Sequence, residues 1–240
     1  MDSSTKAQSV ADHADRVLNL KNASLGDEYR YSSLPLCVID AVYSIGVRYV
    51  GVTNVIARYC LSTKLRRLRD GADLPTVEKQ QSMTEFCTHP QQRDPIGMAN
   101  SIYRNTQRTS PRGGILKADA AFRFAKCLLD GGVEYFQDLS AIGHSIAFEK
   151  AIRSIPGQKS GISLQYFWML AGNDDLIKPD RMVIRFLETA LDRSVTVDEA
   201  NILLKDACGI LKRNYPNMTP RLLDHEVWKH QKVQSVKVCT

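Results

Sequence analysis

Apolar residues recur at helical spacing through most of this chain, and small residues or prolines interrupt the runs. Residues 34–61 carry two such runs, separated at Ser44-Ile45-Gly46, and residues 117–129 form an amphipathic run that stops at Gly131-Gly132. Helices commonly end at glycine because glycine adopts a left-handed backbone without strain. No run shows the alternating pattern of a strand. The sequence therefore predicts an all-α fold.

A helical hairpin is predicted in the second half of the chain. The runs SIAFEKAIRS and ISLQYFWMLAG flank a compact turn at residues 155–161. Further on, Pro179 interrupts the helical pattern and Asp180 can cap a new helix, because its carboxylate can accept amide hydrogens two or three residues later. The residues before 34 are predicted to be a polar leader, and residues 62–116 to be loops with short helices, since prolines and glycines break any long element there.

Composition narrows the class of protein. Of the 240 residues, 43% are hydrophobic, which is enough for a folded globule. No window approaches the roughly 18 apolar residues of a membrane span, and the N-terminus lacks the apolar core of a signal peptide, so we expect an intracellular protein. The six cysteines are scattered, with no C-x-x-C pair, and the histidines show no metal-ligand spacing. We therefore expect reduced cysteines and no metal site.

Positive charge is concentrated in two segments. The net charge is +6, with Lys64, Arg66, Arg67 and Arg69 in one segment and Arg104, Arg108 and Arg112 at spacing four in another. Arginines four apart share one face of a helix or extended turn and could track the phosphates of a nucleic acid. A solvated charged surface explains each cluster equally well.

The turn at 155–161 and Asp180 suggest a specific chemistry. A glycine-containing turn can bring backbone N–H groups close to an anion, and the following helix adds the positive end of its dipole. A phosphate held there would place an Asp at the next helix start one or two nucleotides away from it. A carboxylate at that distance suits a reaction that passes through an oxocarbenium-like sugar.

These residues resemble a known superfamily. Ile155-Pro156-Gly157 through Gly161, followed by Gly172 and Pro179-Asp180, is similar to the helix-hairpin-helix, the Gly/Pro-rich loop and the Asp of base-excision DNA glycosylases. PLCVIDAVYSIGVRY resembles the family's early helix and the loop that probes the duplex. Lys117-Ala118 resembles the start of a later helix, and residues 223–228 resemble the closing helix. The matches keep the family's order.

The resemblance implies an architecture and a site. It implies two helical lobes, one from residues 34–178 and one from residues 1–33 plus 181–240, with a DNA cleft between them. The implied catalytic residue is Asp180. The implied DNA-binding residues are Gly157, Gln158, Lys159, Ser160 and Gly161. The residues implied to line the base pocket or fill the gap are Ser44, Ile45, Arg48 and Tyr49.

Departures from the family pattern refine the expected activity. The family usually has a second glycine where this chain has Lys159, which adds a cation beside the expected phosphate. Members that also cut the strand carry a nucleophilic lysine where this chain has Gly161, so the implied glycosylase is monofunctional and leaves an abasic site. No cofactor is implied. The expected partner is double-stranded DNA with a damaged or modified base, and a monomer is the default expectation.

Other interpretations of the same residues remain open. Asp180 can be a helix cap and nothing more, and Arg48 and Tyr49 can lie on a helix surface. Tyr166, Phe167 and Trp168 fit a core better than a cleft, because consecutive aromatic residues on one helix cannot all face one side. The runner-up function is a non-catalytic helix-hairpin-helix DNA-binding protein, followed by a helical protein-interaction module. Which base is excised is not fixed by the sequence.

Overall fold

The protein is all-α. The computed structural model describes residues 3–71, 73–90, 94–143 and 145–237. No strand occurs in these residues, and two isolated bridges join Tyr31 to Leu68 and Arg108 to Leu116. The α-helices of the described residues, α1 to α11 in chain order, are Ser3–Val17, Leu34–Tyr43, Tyr49–Thr63, Met83–Thr88, Pro95–Gly97, Lys117–Asp130, Ile146–Ser154, Ile162–Leu170, Arg181–Leu191, Val197–Leu211 and Pro220–Lys237.

The chain divides into two compact units, and the first combines an N-terminal segment with a C-terminal one. It consists of the residues up to Gly26 and those from Gly172 onward. Helices α1, α9, α10 and α11 pack against one another in this unit. Their inward faces form one apolar core, which includes Val10, Ala14, Phe186, Leu204 and Val227.

The N-terminal segment, which the sequence analysis described only as a polar leader, contains a helix. Residues 3–17 form α1, which packs on α10. Ala7, Val10, Ala11 and Ala14 are buried and recur three or four positions apart, as on one face of a helix. This narrow stripe of mostly small residues buries little apolar area per residue, so the polar composition of the segment concealed it.

The second unit consists of residues 27–171 and is built around α2. Every residue of α2 is buried. Helices α3, α4, α6 and α8 all pack against it, which explains why its sequence is apolar on all sides apart from Asp40. The predicted interruption at Ser44-Ile45-Gly46 is confirmed, because α2 ends at Tyr43 and α3 begins at Tyr49.

Helices α7 and α8 of this second unit flank the turn predicted at residues 155–161. Ser145 caps α7 by accepting a hydrogen bond from the N–H of Phe148 at 3.3 Å. Residues 62–116 contain the predicted short helices, α4 and α5, among irregular segments. Over the residues that the structure covers, we find no helix with the length and apolar character that a membrane span requires.

Candidate functional site

The turn between α7 and α8 is closed by its own backbone. The N–H of Gln158 donates to the carbonyl of Ile155 at 2.9 Å, and the N–H of Gly161 donates to the carbonyl of Gln158 at 3.0 Å. Gly157 and Gly161 have φ angles of 85° and 74°. Residues with a side chain rarely adopt such φ values. The geometry of the turn therefore depends on both glycines.

Neighbouring side chains brace this turn closely. A Cβ atom on Gly157 would overlap the side chain of Thr109, and one on Gly161 would overlap the guanidinium of Arg153. Arg153 also donates from Nη1 to the carbonyl of Lys159 at 2.9 Å and from Nε to Glu149 at 2.8 Å. The turn is thus held in shape by the protein's own groups.

Gln158 faces the interior of the hairpin. Its side chain is buried, and its Oε1 accepts a hydrogen bond from the hydroxyl of Ser163 in α8. Its backbone N–H is already bonded to Ile155. Gln158 therefore shapes the turn from within, and its side chain does not lie among the groups that a DNA backbone could reach.

Lys159 and Ser160 form the exposed corner of the turn. Both residues are exposed, and α8 begins two residues later at Ile162. The first N–H groups of a helix have no partners within the helix and carry the positive end of its dipole. Lys159 adds a full positive charge to the same corner, which gives it the chemistry of an anion-binding site.

Asp180 caps α9, as the sequence predicted, and belongs to the first unit. Its backbone is extended, and its Oδ1 accepts hydrogen bonds from the N–H groups of Met182 at 2.7 Å and Val183 at 3.4 Å. The side chain is half-buried. Because both cap bonds use Oδ1, they fix the orientation of the carboxylate.

Asp224 is a second carboxyl group that interacts with Asp180 in the same unit. It is buried in α11, and one of its oxygens accepts a 2.9 Å hydrogen bond from the N–H of Lys178. Burial, followed by the negative charge of Asp180, raises the pKa of Asp224 well above its usual value. The raised pKa reflects the cost of placing a second negative charge in this buried position.

The loop after α2 is anchored from the inside by a lysine. The Nζ of Lys117 donates to the carbonyls of Tyr43 at 2.9 Å and Ile45 at 2.8 Å. Lys117 is almost completely buried. Ser44 donates its hydroxyl to the carbonyl of Ala41 at 3.3 Å, and Gly46 has a φ of 71°. From the sequence, Lys117 was assigned only as the start of a helix.

Arg48 and Tyr49 differ in their surroundings. Arg48 is exposed at the start of α3. Tyr49 is half-buried, and its hydroxyl donates to Oδ2 of Asp40 at 2.8 Å. The hydroxyl of Tyr31 donates to the same oxygen, also at 2.8 Å. The sequence analysis missed Asp40, although it is the one charged residue in the run LPLCVIDAVYSIGV.

The two positive clusters do not form the predicted stripe. Arg104 has a left-handed backbone and Arg108 lies in an isolated bridge, so residues spaced by four share no helix face there. In the other cluster, Arg66 pairs with Asp70. Arg69 donates to the carbonyl of Tyr29 at 3.3 Å and lies 5.8 Å from the centre of the Phe136 ring. Part of this charge is therefore committed inside the protein.

Comparison with known proteins gives one match. Residues 8–232 match a family described as a domain of unknown function, DUF8548. No curated protein and no solved structure matches the chain.

Proposed function

The chain belongs to the DUF8548 family, and we propose that it is a DNA glycosylase, which flips a damaged or modified base out of double-stranded DNA and hydrolyses its N-glycosidic bond. The observation that carries this proposal is the self-braced turn at residues 155–161, which presents Lys159 and Ser160 at the start of α8. The ordered resemblance to helix-hairpin-helix glycosylases supports the same assignment.

The turn would hold one phosphate of the DNA backbone. The donors are the backbone N–H groups at the exposed corner, and the ammonium of Lys159 adds charge. Such contacts carry no base information, so they fix the position of the protein on DNA of any sequence. Affinity is expected to fall steeply as salt concentration rises.

Asp180 would act on the sugar of the flipped nucleotide. As the bond between C1′ and the base breaks, the base leaves with the electron pair and positive charge develops on the sugar. The carboxylate of Asp180 stabilises this charge and orients the water that attacks C1′. The cap bonds to Met182 and Val183 support this role because they fix the carboxylate before the reaction begins.

The loop after α2 would provide the residues for base flipping. Base flipping leaves a hole in the duplex that a side chain must fill. Arg48 is exposed and can enter such a gap, while Ser44, Ile45 and Tyr49 would line the base pocket. Lys117 would hold this loop in place through its bonds to Tyr43 and Ile45.

A non-catalytic DNA-binding protein is the second candidate. The observation in its favour is that Asp180 already has a structural task as the cap of α9. A panel of duplexes with oxidised, alkylated, deaminated, mispaired or hypermodified bases separates the two. Strand breaks that appear only after alkali treatment reveal abasic sites and support the glycosylase. Salt-sensitive binding without such breaks on any duplex supports the non-catalytic alternative.

A further inference from the structure

Residues 173–180, which lead into α9 and end at Asp180, are anchored to helix α11 at two points within the first unit. At the first point, the guanidinium of Arg221 donates to Oδ1 of Asp174 from Nε at 3.0 Å and from Nη2 at 2.7 Å. The N–H of Arg221 also donates to the carbonyl of Asp174 at 3.0 Å. The hydroxyl of Thr219 donates to the same Oδ1 at 3.3 Å. Asp174 is therefore tied to the start of α11 through both its backbone and its side chain.

The second anchor lies about one helical turn further along α11, where Asp224 holds the backbone at Lys178. Oδ1 of Asp224 accepts a 2.9 Å hydrogen bond from the N–H of Lys178. Between the two anchors, Ile177 has no exposed surface and belongs to the same apolar core as Leu223 and Val227 of α11. Polar bonds at both ends and a buried apolar residue between them therefore hold this segment in place.

The second anchor is close enough to fix the position of Asp180. Pro179 alone separates Lys178 from Asp180. The ring of proline locks its φ angle, and the N–H of Asp180 donates back to the carbonyl of Lys178 at 2.6 Å. Little rotational freedom is left between the anchored N–H and the carboxyl group of Asp180. Helix α11 therefore sets where this carboxyl group lies, and the cap bonds to α9 set how it is turned.

Both anchoring residues are buried, although both have ionisable side chains. Arg221 is 8% exposed and Asp224 is 5% exposed. Burying such groups costs free energy, and apolar residues of similar volume would pack a helix face at lower cost. The two residues have in common the segment to which they bond, and that segment ends at the proposed catalytic residue.

We propose that Arg221 and Asp224 are positioning residues for base release, which act by holding Asp180 where its carboxylate meets the sugar. This inference rests on the proposed glycosylase function. Neither residue has to touch DNA. A displacement of about 1 Å can cost roughly a hundredfold in rate. Loss of an anchor should therefore slow base release while the affinity for duplex DNA stays the same.

Two substitutions of Asp224 separate positioning from charge. Single-turnover base release is measured on whichever duplex of the panel the parent processes fastest. Asp224→Asn keeps an oxygen that can accept from the N–H of Lys178, so release should stay close to that of the parent. Asp224→Leu removes this acceptor at similar volume, so release should slow roughly tenfold or more. If Asp224 acted through its charge, both variants would lose release equally.

A double substitution tests whether Asp224 acts through Asp180. Once Asp180→Asn has removed the stabilising charge, no carboxylate is left to misplace. Asp224→Leu should therefore slow release little further in that background. A residue that only supported the fold would slow release by the same factor in both backgrounds.

Asp174→Ala tests the other anchor and decides the question even if Asp224→Leu fails to fold. The side chain of Asp174 is half exposed, and its removal leaves the backbone bond from Arg221 in place. Release should again slow without a change in duplex affinity. Glu199→Ala is the matched control, because Glu199 forms ion pairs in the same unit with Arg193 and Lys6, outside the anchored segment. It should leave release unchanged.

Hydrogen exchange gives a readout that does not depend on activity. The N–H groups of Met182 and Val183 bond to Asp180, so they report whether its carboxyl group is held. Asp224→Leu should speed their exchange more than that of Leu204, which lies in the core of the same unit. Asp224→Asn should not.

Several results would overturn the inference and leave the glycosylase proposal standing. They are equal losses from Asp224→Asn and Asp224→Leu, additive losses with Asp180→Asn, and undiminished release by folded Asp224→Leu or Asp174→Ala. Exchange at Met182 and Val183 that is the same in the parent and in Asp224→Leu would also overturn it. If the parent releases no base from any duplex, the glycosylase proposal fails and this inference fails with it.

Discussion

Asp180 combines a structural role with a proposed chemical one, and a single substitution can separate them. Asn can still cap α9, so Asp180→Asn should change the free energy of unfolding by about 1 kcal/mol or less. It removes the charge that would stabilise the sugar cation, so base release should fall roughly a hundredfold or more. Binding of duplex DNA should be equal or tighter, because a carboxylate repels phosphates.

The measurement for Asp180→Asn is single-turnover base release alongside duplex affinity. Asp94→Asn is the matched control, because Asp94 also caps a helix, accepting from the N–H of Ile96 at 3.1 Å. It should leave base release unchanged. Undiminished release by a folded Asp180→Asn variant would move the chemistry to another residue.

The burial of His225 lets us predict how acid changes the free energy of unfolding. Burial, followed by the positive charge of Lys229, lowers the pKa of His225 from 6.5 to about 4. The unfolded chain therefore binds a proton that the folded protein does not, and the free energy of unfolding falls as pH falls below 6.5. The loss attributable to His225 should reach about 3 kcal/mol near pH 4.

Denaturant unfolding of the parent and of His225→Gln at several pH values tests this linkage. The difference between the two proteins isolates His225 from the carboxyl groups that titrate in the same range. The variant should lose less stability than the parent between pH 6.5 and pH 4. Parallel pH profiles would show that His225 is not buried in its neutral form.

At the scale of elements, we predict that the positive charge at the turn between α7 and α8 affects the binding of DNA and does not affect folding. Lys159 is exposed at the corner of the turn. Lys159→Ala should therefore weaken binding to duplexes of any sequence and lower the slope of log affinity against log salt by about 1. The melting temperature should stay the same.

Lys150→Ala is the control for this prediction. Lys150 is exposed on α7, in the same hairpin but outside the turn, so its substitution should change affinity less. Titration of a fluorescent duplex at several salt concentrations measures both variants. Equal effects of the two substitutions would show that general surface charge, rather than the turn, binds the DNA.

The elements that the sequence predicted correctly are those whose signals are local. The hairpin turn depends on glycines within seven residues, and the cap at Asp180 depends on the next three residues. The signals that failed depend on tertiary contacts. Helix α1 needs the face of α10 to bury its narrow apolar stripe, and the spacing of Arg104 and Arg108 has no meaning where the backbone is not helical.

The Asp40 cluster shows the same limit within the candidate site. Tyr31 and Tyr49 lie nine residues before and after Asp40, which matches no single helical repeat. Their meeting depends on how the segment before α2 and the start of α3 fold back onto that helix. A lone charge inside an apolar run was the available signal, because a buried charge needs partners.

At the scale of the whole molecule, the positive net charge of +6 is compatible with a polyanionic partner but does not identify one. Arg66 is paired with Asp70 and Arg69 donates to the carbonyl of Tyr29, so the charge available to a partner is smaller than the composition suggests. The proposed specificity therefore depends on a small number of well-positioned residues. The reaction product is the most direct evidence for what these residues do.

The product predicted for the intact protein is an abasic site with no covalent intermediate. A lyase forms an imine between an amine and C1′ of the sugar, which borohydride reduces to a stable adduct. In the proposed assignment, Gly161 takes the position of the lysine used by strand-cutting glycosylases, and Lys117 is buried against two carbonyls. Borohydride should therefore trap no protein on a duplex from which the base is being released. A trapped adduct that disappears on substituting Lys159 or Lys178 would identify a lyase and make the monofunctional assignment wrong.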